Sequence, residues 1–511
     1  MQAAPANLLL DRLKQRASDD VVLESDGRIV TAGQLLSDID EAAASFINMG
    51  IDRLGILADN SSAWITTDLA CQSAGICVLP LPTFFSESQL LHSMNRVGID
   101  AVLTDNPGRL ADLFGSQINM AGKQPVDGLE LMRLANKQAP ELPEGTQKIT
   151  FTSGSTGTPK GVCLGVDHQL RVANALDLTL QISAPRHLCL LPLSTLLENV
   201  GGAHYALLAG GTVFTPKDTD TGFSGSAGLD MPRMLETISR HRPTTLILIP
   251  QMLVGLVAAL ENGWQLPAEL EFAAVGGAKV AAGLLRRARE LGLPVYEGYG
   301  LSETGSVACL NVPGNDHIGS VGRPLPHIRI EARSAVLNIS GNTFLGYLGD
   351  PDSWNKQSVD TGDIGEIDSE GFVSLQGRSK NILITSFGRN VSPEWVESEL
   401  LYHPEVLQCI VFGDARPHCV ALIAAAAEVS NSELKTIIEN VNESLPDYAR
   451  IRHWHSLPTP LSIADGLYTE NGRPRRAIIE ERFGTEIDDL YMDKQFQTQA
   501  RHQLQSRTVL A

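Results

Sequence analysis

The segment Ile149-Thr150-Phe151-Thr152-Ser153-Gly154-Ser155-Thr156-Gly157-Thr158-Pro159-Lys160-Gly161 constrains this chain more than any other. It opens with apolar and β-branched residues, which read as a buried strand. A run of hydroxyls and glycines follows, closed by one lysine. Glycine lets backbone amides approach a ligand closely, and Ser/Thr hydroxyls add donors. A turn of this kind cradles phosphate, and Lys160 supplies a cation. It is not a Walker A loop, because no Gly-Lys pair stands at the required distance from Gly154. Gly/Ser/Thr stretches also serve as plain flexible linkers. The strand in front and the Pro-Lys-Gly behind favour phosphate binding.

Around this segment strands alternate with helices. The spacing predicts a helix over 33–49, with Leu35, Leu36, Ile39, Ala42, Ala43 and Phe46 on one face. Gly50 stands where such a helix would stop. A strand over 54–57, a helix over 63–74 and a strand over 77–81 come next. Ser86 and Gln89 make a capping box for a further helix, and 101–104 reads as a strand. Beyond the loop, strands at 187–191, 245–249, 271–275 and 295–297 alternate with helices at 231–240, 251–261 and 280–291. This alternation implies a parallel, doubly wound α/β sheet. The polar run 219–228 reads as a mobile surface loop. Past about residue 378 the pattern changes, and strands 407–412 and 419–424 flank a helix over 432–445. The expected architecture is α/β: a large N-terminal domain of doubly wound sheets over 1–378, and a smaller mobile α+β C-terminal domain over 379–511. The polar stretch from 485 onward reads as a helix or a frayed tail.

Composition excludes several functions. A net charge of −19 over 511 residues lacks the basic footprint of a nucleic-acid binder. The seven cysteines are scattered and form no CxxC pair, so zinc sites and a disulfide framework are not expected. They read as small buried hydrophobes in a reducing compartment. The start, Met1-Gln2-Ala3-Ala4-Pro5, lacks a basic region followed by an apolar one, so no signal peptide is expected. No apolar run reaches the roughly 18 residues of a membrane span. The expected location is cytoplasmic.

Thr152 to Gly161 resembles the signature loop of the adenylate-forming superfamily, which holds acyl-CoA synthetases, luciferases and peptide-synthetase adenylation domains. Further motifs resemble that family's, in its order, from about residue 30 to 480. The resemblance makes Thr152, Ser153, Gly154, Ser155, Thr156, Gly157 and Lys160 nucleotide ligands. Gly276, Gly277 and Ala278 follow a strand and match the turn that holds adenine. Tyr299-Gly300-Leu301-Ser302-Glu303 is similar to Tyr-Gly-x-Thr/Ser-Glu. It implies that Tyr299 stacks on adenine, Ser302 touches the α-phosphate and Glu303 holds Mg²⁺, an ion that commonly uses one carboxylate plus substrate phosphates. Asp363, in Thr361-Gly362-Asp363, would accept both ribose hydroxyls. Arg378 would be a second ribose or phosphate contact, and Lys380 stands at the family's hinge. Phe387 and Gly388 begin a stretch resembling the loop that lines the pantetheine tunnel.

Two departures stand out. Asn471-Gly472-Arg473-Pro474-Arg475-Arg476 aligns with Asn-Gly-Lys-x-x-Arg, so Arg473 replaces the family's catalytic lysine. Arginine keeps the charge but is planar and wider, and a preorganised cation is what the α-phosphate needs as negative charge grows on it. Leu191-Pro192-Leu193-Ser194-Thr195-Leu196-Leu197-Glu198 resembles a stretch of long-chain acyl-CoA synthetases, with Thr195 in place of a histidine. Thr195, Leu196 and Val200 are therefore acid-pocket candidates. His168 matches a histidine found after the loop and reads as a helix-starting surface residue.

The resemblance implies ATP- and Mg²⁺-dependent activation of a carboxylic acid, here a fatty acid, to an acyl-adenylate, with Lys160, Ser302 and Arg473 catalytic. Transfer to coenzyme A would follow. Pantetheine on an acyl carrier protein, adenylation of a β-hydroxy acid with no thiol step, and a nucleotide-binding pseudoenzyme are the alternatives.

Overall fold

The computed structural model describes residues 7–115, 118–120, 124–134, 139–152, 160–224, 228–469 and 472–491. The chain divides into two compact units, residues 1–361 with 365–375, and residues 362–364 with 376–511.

The larger unit carries two wide sheets. In the nine-stranded sheet, Val21–Ser25, Thr212–Phe214, Arg186–Leu188, Thr245–Leu248, Phe272–Val275 and Val295–Leu301 lie side by side in parallel. Antiparallel strands close both of its ends. In the eight-stranded sheet, Lys148–Thr152, Cys77–Pro80, Arg53–Leu57 and Ala101–Thr104 form the parallel centre. Helices supply the connections, as parallel neighbours require. The expected α/β class with doubly wound sheets is the architecture observed.

Local signals explain the helices. Thr31 and Ser61 cap Ala32–Asn48 and Ser62–Ala74 through their hydroxyls. Both arms of the Ser86–Gln89 capping box are formed. Leu35, Ile39 and Phe46 of the first helix pack with Trp64 and Leu69 of the second in one buried cluster.

Three expectations are corrected. The strand over 187–191 ends at Leu188, because Leu191 and Leu193 bond to Asn60 instead of a neighbouring strand. The strand over 295–297 runs on to Leu301, because Ser306–Leu310 returns antiparallel beside it. The run 219–228, expected as a loop, carries regular structure in its described part. Asp218–Thr221 is a helical turn, Phe223–Ser224 pairs with Gly228–Leu229, and the Thr237 hydroxyl donates to the Asp220 carbonyl at 2.6 Å. Residues 225–227 of that run lie outside the described residues.

The smaller unit has a sheet of Val406–Phe412, Cys419–Ala425 and Ile451–Ser456. Cys409, Val411, Ala421 and Ile423 meet Leu434 and Ile438 on one face. Ile410, Phe412, Val420 and Leu422 meet Leu467, Ile479 and Ile487 on the other. A strand covered on both faces reads as a continuous apolar run, as the central Cys419–Ala425 does. The tail expectation from 485 falls on the helix Gly484–Tyr491, and the rest of it lies outside the described residues. All seven cysteines are buried and unpaired with one another. No helix among the described residues is long and apolar enough to cross a membrane.

Candidate active site

Strand Lys148–Thr152 precedes the hydroxyl-glycine stretch in sequence, and strand Lys160–Leu164 follows it, the two paired antiparallel. Candidates Ser153, Gly154, Ser155, Thr156 and Gly157 lie outside the described residues, as does the Thr152 side chain. Lys160 is described and exposed. Its ammonium sits over the Tyr347 ring, 4.7 Å from the centroid. The Tyr347 hydroxyl donates to Glu303 Oε1 at 2.9 Å. One aromatic side chain thus joins the candidate phosphate cation to the candidate metal carboxylate.

Glu303 lies in the short turn Ser302–Thr304, directly after strand Val295–Leu301. Gly305 closes the turn with φ +81°, a conformation that favours glycine. The fully buried Asn342 donates to the Thr304 and His168 carbonyls at 3.0 Å each, and Phe344 N–H bonds the Glu303 carbonyl at 2.8 Å. Within the strand, a Cβ on Gly300 would stand 1.9 Å from the Ser306 carbonyl oxygen. Only glycine lets the returning strand approach beside Tyr299.

Gly276 and Gly277 end strand Phe272–Val275, and Gly277 has φ +86°. Gly277 and Ala278 are exposed. Glu297 is buried close by. Burial pushes its carboxyl up to about 7, against the opposing pull of Lys279 and the Val280 N–H.

The segment carrying Thr195, Leu196 and Val200 is held from several sides. Asn60 bonds the Leu193 N–H and the Leu191 carbonyl at 2.7 and 2.9 Å. Glu198 takes the Leu191 N–H on Oε2 at 2.9 Å and His187 Nε2 on Oε1 at 2.6 Å. His187, Cys189 and Glu198 cluster as metal ligands do. Both Glu198 oxygens and both His187 nitrogens are already engaged, the second nitrogen with Thr245. The cluster is therefore a clamp on this segment. Leu196 and Val200 pack with Val307 and Leu310, and Thr195 is half-buried. Residues Asn199–His204 form a π-helix, a wide turn often met at functional sites.

Beneath this lies a buried ionic network that sequence reading missed. Lys148 and Asp68 are fully buried and pair at 2.9 Å. Lys148 also donates to Asn199 Oδ1, and His204 Nε2 lies 2.9 Å from Asp68. Burial alone would raise the Asp68 carboxyl, but Lys148 and His204 outweigh it and hold it below the usual range. His168 is corrected from a surface residue to a buried one, its Nδ1 accepting the Gly165 N–H at 3.2 Å.

In the smaller unit Asp363 is buried and accepts from Arg378 Nε at 2.8 Å. Arg473 follows Gly472, whose φ is +70°, and its carbonyl accepts from the Thr469 N–H at 2.8 Å. The residue is exposed. Protein crowding around its guanidinium lowers the pKa first and Arg378 next, while Asp363 and Glu394 raise it. Arg476 instead grips Glu397 with contacts of 2.5 Å and ties its helix to Pro393–Leu401. Lys380 is exposed. Phe387 is 77% exposed, and Gly388, at φ +72°, lies in the same hairpin loop.

Residues 10–338 match the AMP-binding enzyme family, and residues 380–495 match the AMP-binding enzyme C-terminal domain. The chain belongs to the AMP-binding enzyme family, within the adenylate-forming superfamily. It is 26% identical to a long-chain-fatty-acid–CoA ligase, FadD15, of Mycobacterium bovis, over 90% of this chain and 92% of the relative. It is 28% identical to the 2-succinylbenzoate–CoA ligase of Bacillus subtilis, over 80% of this chain and 84% of that one. Its fold is similar to that of the anthranilate CoA ligase AuaEII in complex with anthranoyl-AMP, with TM-score 0.78 and 19% identity over 94% of this chain and 99% of that one.

The donor set of this AMP-binding enzyme suits magnesium. Glu303 offers a carboxylate held in a short turn, with Oε1 accepting from the Tyr347 hydroxyl. Magnesium asks for little more from protein, since substrate phosphates and water complete its shell. Tyr347 and Asn342, which hold these candidates, are residues that the sequence alone did not single out.

Proposed function

We propose that this enzyme activates a fatty acid with ATP, forming an acyl-adenylate and pyrophosphate, and then passes the acyl group to coenzyme A. The observation that carries the reading is the convergence of Lys160 and Glu303 on Tyr347. A phosphate-binding cation and a metal-binding carboxylate belong together where a triphosphate is to be held. The names of the relatives support thioester formation with coenzyme A. They differ in the acid, which is a long-chain fatty acid, a medium-chain acyl group or succinylbenzoate.

In this reading Lys160 neutralises phosphate charge and Ser302 donates to the α-phosphate. Tyr299 stacks on adenine beside the Gly276-Gly277-Ala278 turn. Glu303 would hold Mg²⁺, which offsets the negative charge of the triphosphate when bound. Thr195, Leu196 and Val200 receive the acid, and their apolar surroundings favour a hydrocarbon chain. The smaller unit contributes candidates of its own. Asp363 and Arg378 are proposed ribose contacts, and Arg473 is the cation that meets charge growing on the α-phosphate. Lys380 is proposed as the hinge, with Phe387 and Gly388 as pantetheine contacts. A carboxylate oxygen attacks the α-phosphorus and pyrophosphate leaves. The thiolate sulfur then attacks the acyl carbon and AMP leaves.

The test is a panel of fatty acids of graded length and aryl acids, each incubated with ATP, with and without coenzyme A. Products are weighed by mass spectrometry. We expect acyl-adenylate without coenzyme A, and acyl-CoA with AMP when it is present, strongest for fatty acids. Turnover of aryl acids alone would overturn the choice of acid. Absence of any AMP-linked product across the panel would overturn the reaction.

A further inference from the structure

We infer that Tyr347 is a positioning residue for the nucleotide-metal site, holding Lys160 and Glu303 apart so that each keeps its own ligand. The inference rests on the proposed function and assigns a residue that it leaves without a role.

Tyr347 lies on a short strand beside Lys160–Leu164. Gly346–Tyr347 pairs antiparallel with Lys160–Leu164, with Gly346 opposite Cys163 and Tyr347 opposite Val162. Leu345 and Leu348 N–H groups bond the Cys163 and Gly161 carbonyls at 2.9 and 2.8 Å. Its own N–H reaches Ser353 Oγ at 2.8 Å, and its carbonyl accepts from Trp354 Nε1 at 3.0 Å. Phe344 packs against the ring, with centroids 4.7 Å apart. The same stretch bonds the Glu303 backbone through Phe344 N–H. The ring therefore has a defined place relative to both partners.

Chemistry gives that place a purpose. An ammonium and a carboxylate next to one another attract. A direct pair would take the cation from phosphate and the carboxylate from metal. Tyr347 offers each a different partner: the ring face attracts the ammonium, and the hydroxyl donates to Oε1. A hydrogen bond to one carboxylate oxygen also fixes the direction in which the other points.

The two contacts can be removed separately. Tyr347→Phe deletes the hydroxyl and keeps the ring, whereas Tyr347→Leu deletes both. The readout is equilibrium binding of a fluorescent ATP analogue, first in EDTA and then against a magnesium titration, with no turnover. For Tyr347→Phe we expect unchanged binding in EDTA and a roughly tenfold higher magnesium requirement, the usual scale for a residue orienting a metal ligand. Tyr347→Leu should also weaken binding in EDTA. In a Glu303→Gln background, the magnesium effect of Tyr347→Phe should vanish. Thermal melts confirm folding, and the retained ring protects the Phe variant. An unchanged magnesium requirement in Tyr347→Phe, or an equal shift that persists with Glu303→Gln, overturns the inference. A wild-type protein that binds no ATP analogue in either condition overturns the proposed function instead.

Discussion

Arg473 and Glu297 show how much a single charge decides here. Arg473 is exposed, so truncation should spare the fold. Arg473→Ala should lower ATP–pyrophosphate exchange by about 10²–10³-fold, the scale for losing one preorganised donor to a developing charge. Arg473→Lys should retain most of it. Unchanged exchange in the alanine variant would remove Arg473 from the mechanism. Glu297 poses the opposite problem, a carboxyl that the fold prefers protonated. Between pH 4.5, the ordinary value, and about 7, the folded chain binds more protons here than the unfolded one. Its contribution is therefore intact below pH 4.5 and is lost as pH rises through about 7. Glutamine keeps the shape and cannot ionise. Glu297→Gln should match the wild type in urea unfolding near pH 4.5 and exceed it by up to about 3 kcal/mol at pH 8. A difference that stays constant between those pH values would mean that ionisation is not the cause.

At the scale of elements, the Lys148 network ties three pieces of the larger unit together: strand Lys148–Thr152, helix Ser62–Ala74, and the π-helix Asn199–His204. Removing one member leaves the other charge buried. Lys148→Met should destabilise the larger unit by about 3–5 kcal/mol, and Asp68→Asn added to it should recover most of the loss. Urea midpoints of the three proteins check this, and a neutral single variant would show that the pair is not what holds these elements. The same network marks where sequence reading stops. Strand 101–104, the Ser86 capping box and helix 63–74 were legible because their signals are local: apolar periodicity, a hydroxyl cap, a glycine stop. Lys148, Asp68, Asn199 and His204 come from distant segments, and no spacing along the chain announces them. Tyr347 escaped likewise, since its meaning depends on a strand pairing formed only in the fold. Run 219–228 misled because polar, glycine-rich composition also suits a short hairpin.

Among the described residues, each buried apolar cluster belongs to one unit or the other. Trp64, Leu69 and Phe46 fill a cluster in the larger unit, while Ile423, Val411 and Leu434 fill one in the smaller. A chain whose cores are separate need not unfold in one step. Ile423 is fully buried on the central strand of the smaller sheet. Truncating it to alanine removes buried methylenes and leaves a cavity, at about 2–5 kcal/mol. The smaller unit should then melt on the order of 10 °C lower, with the larger unit's transition in place. Leu69→Ala should do the reverse. ATP analogue binding by Ile423→Ala, measured between the two transitions, then reports what the larger unit binds while the smaller is unfolded. Calorimetry decides the premise: one transition that moves as a whole in both variants would mean that the two cores melt as a single cooperative block.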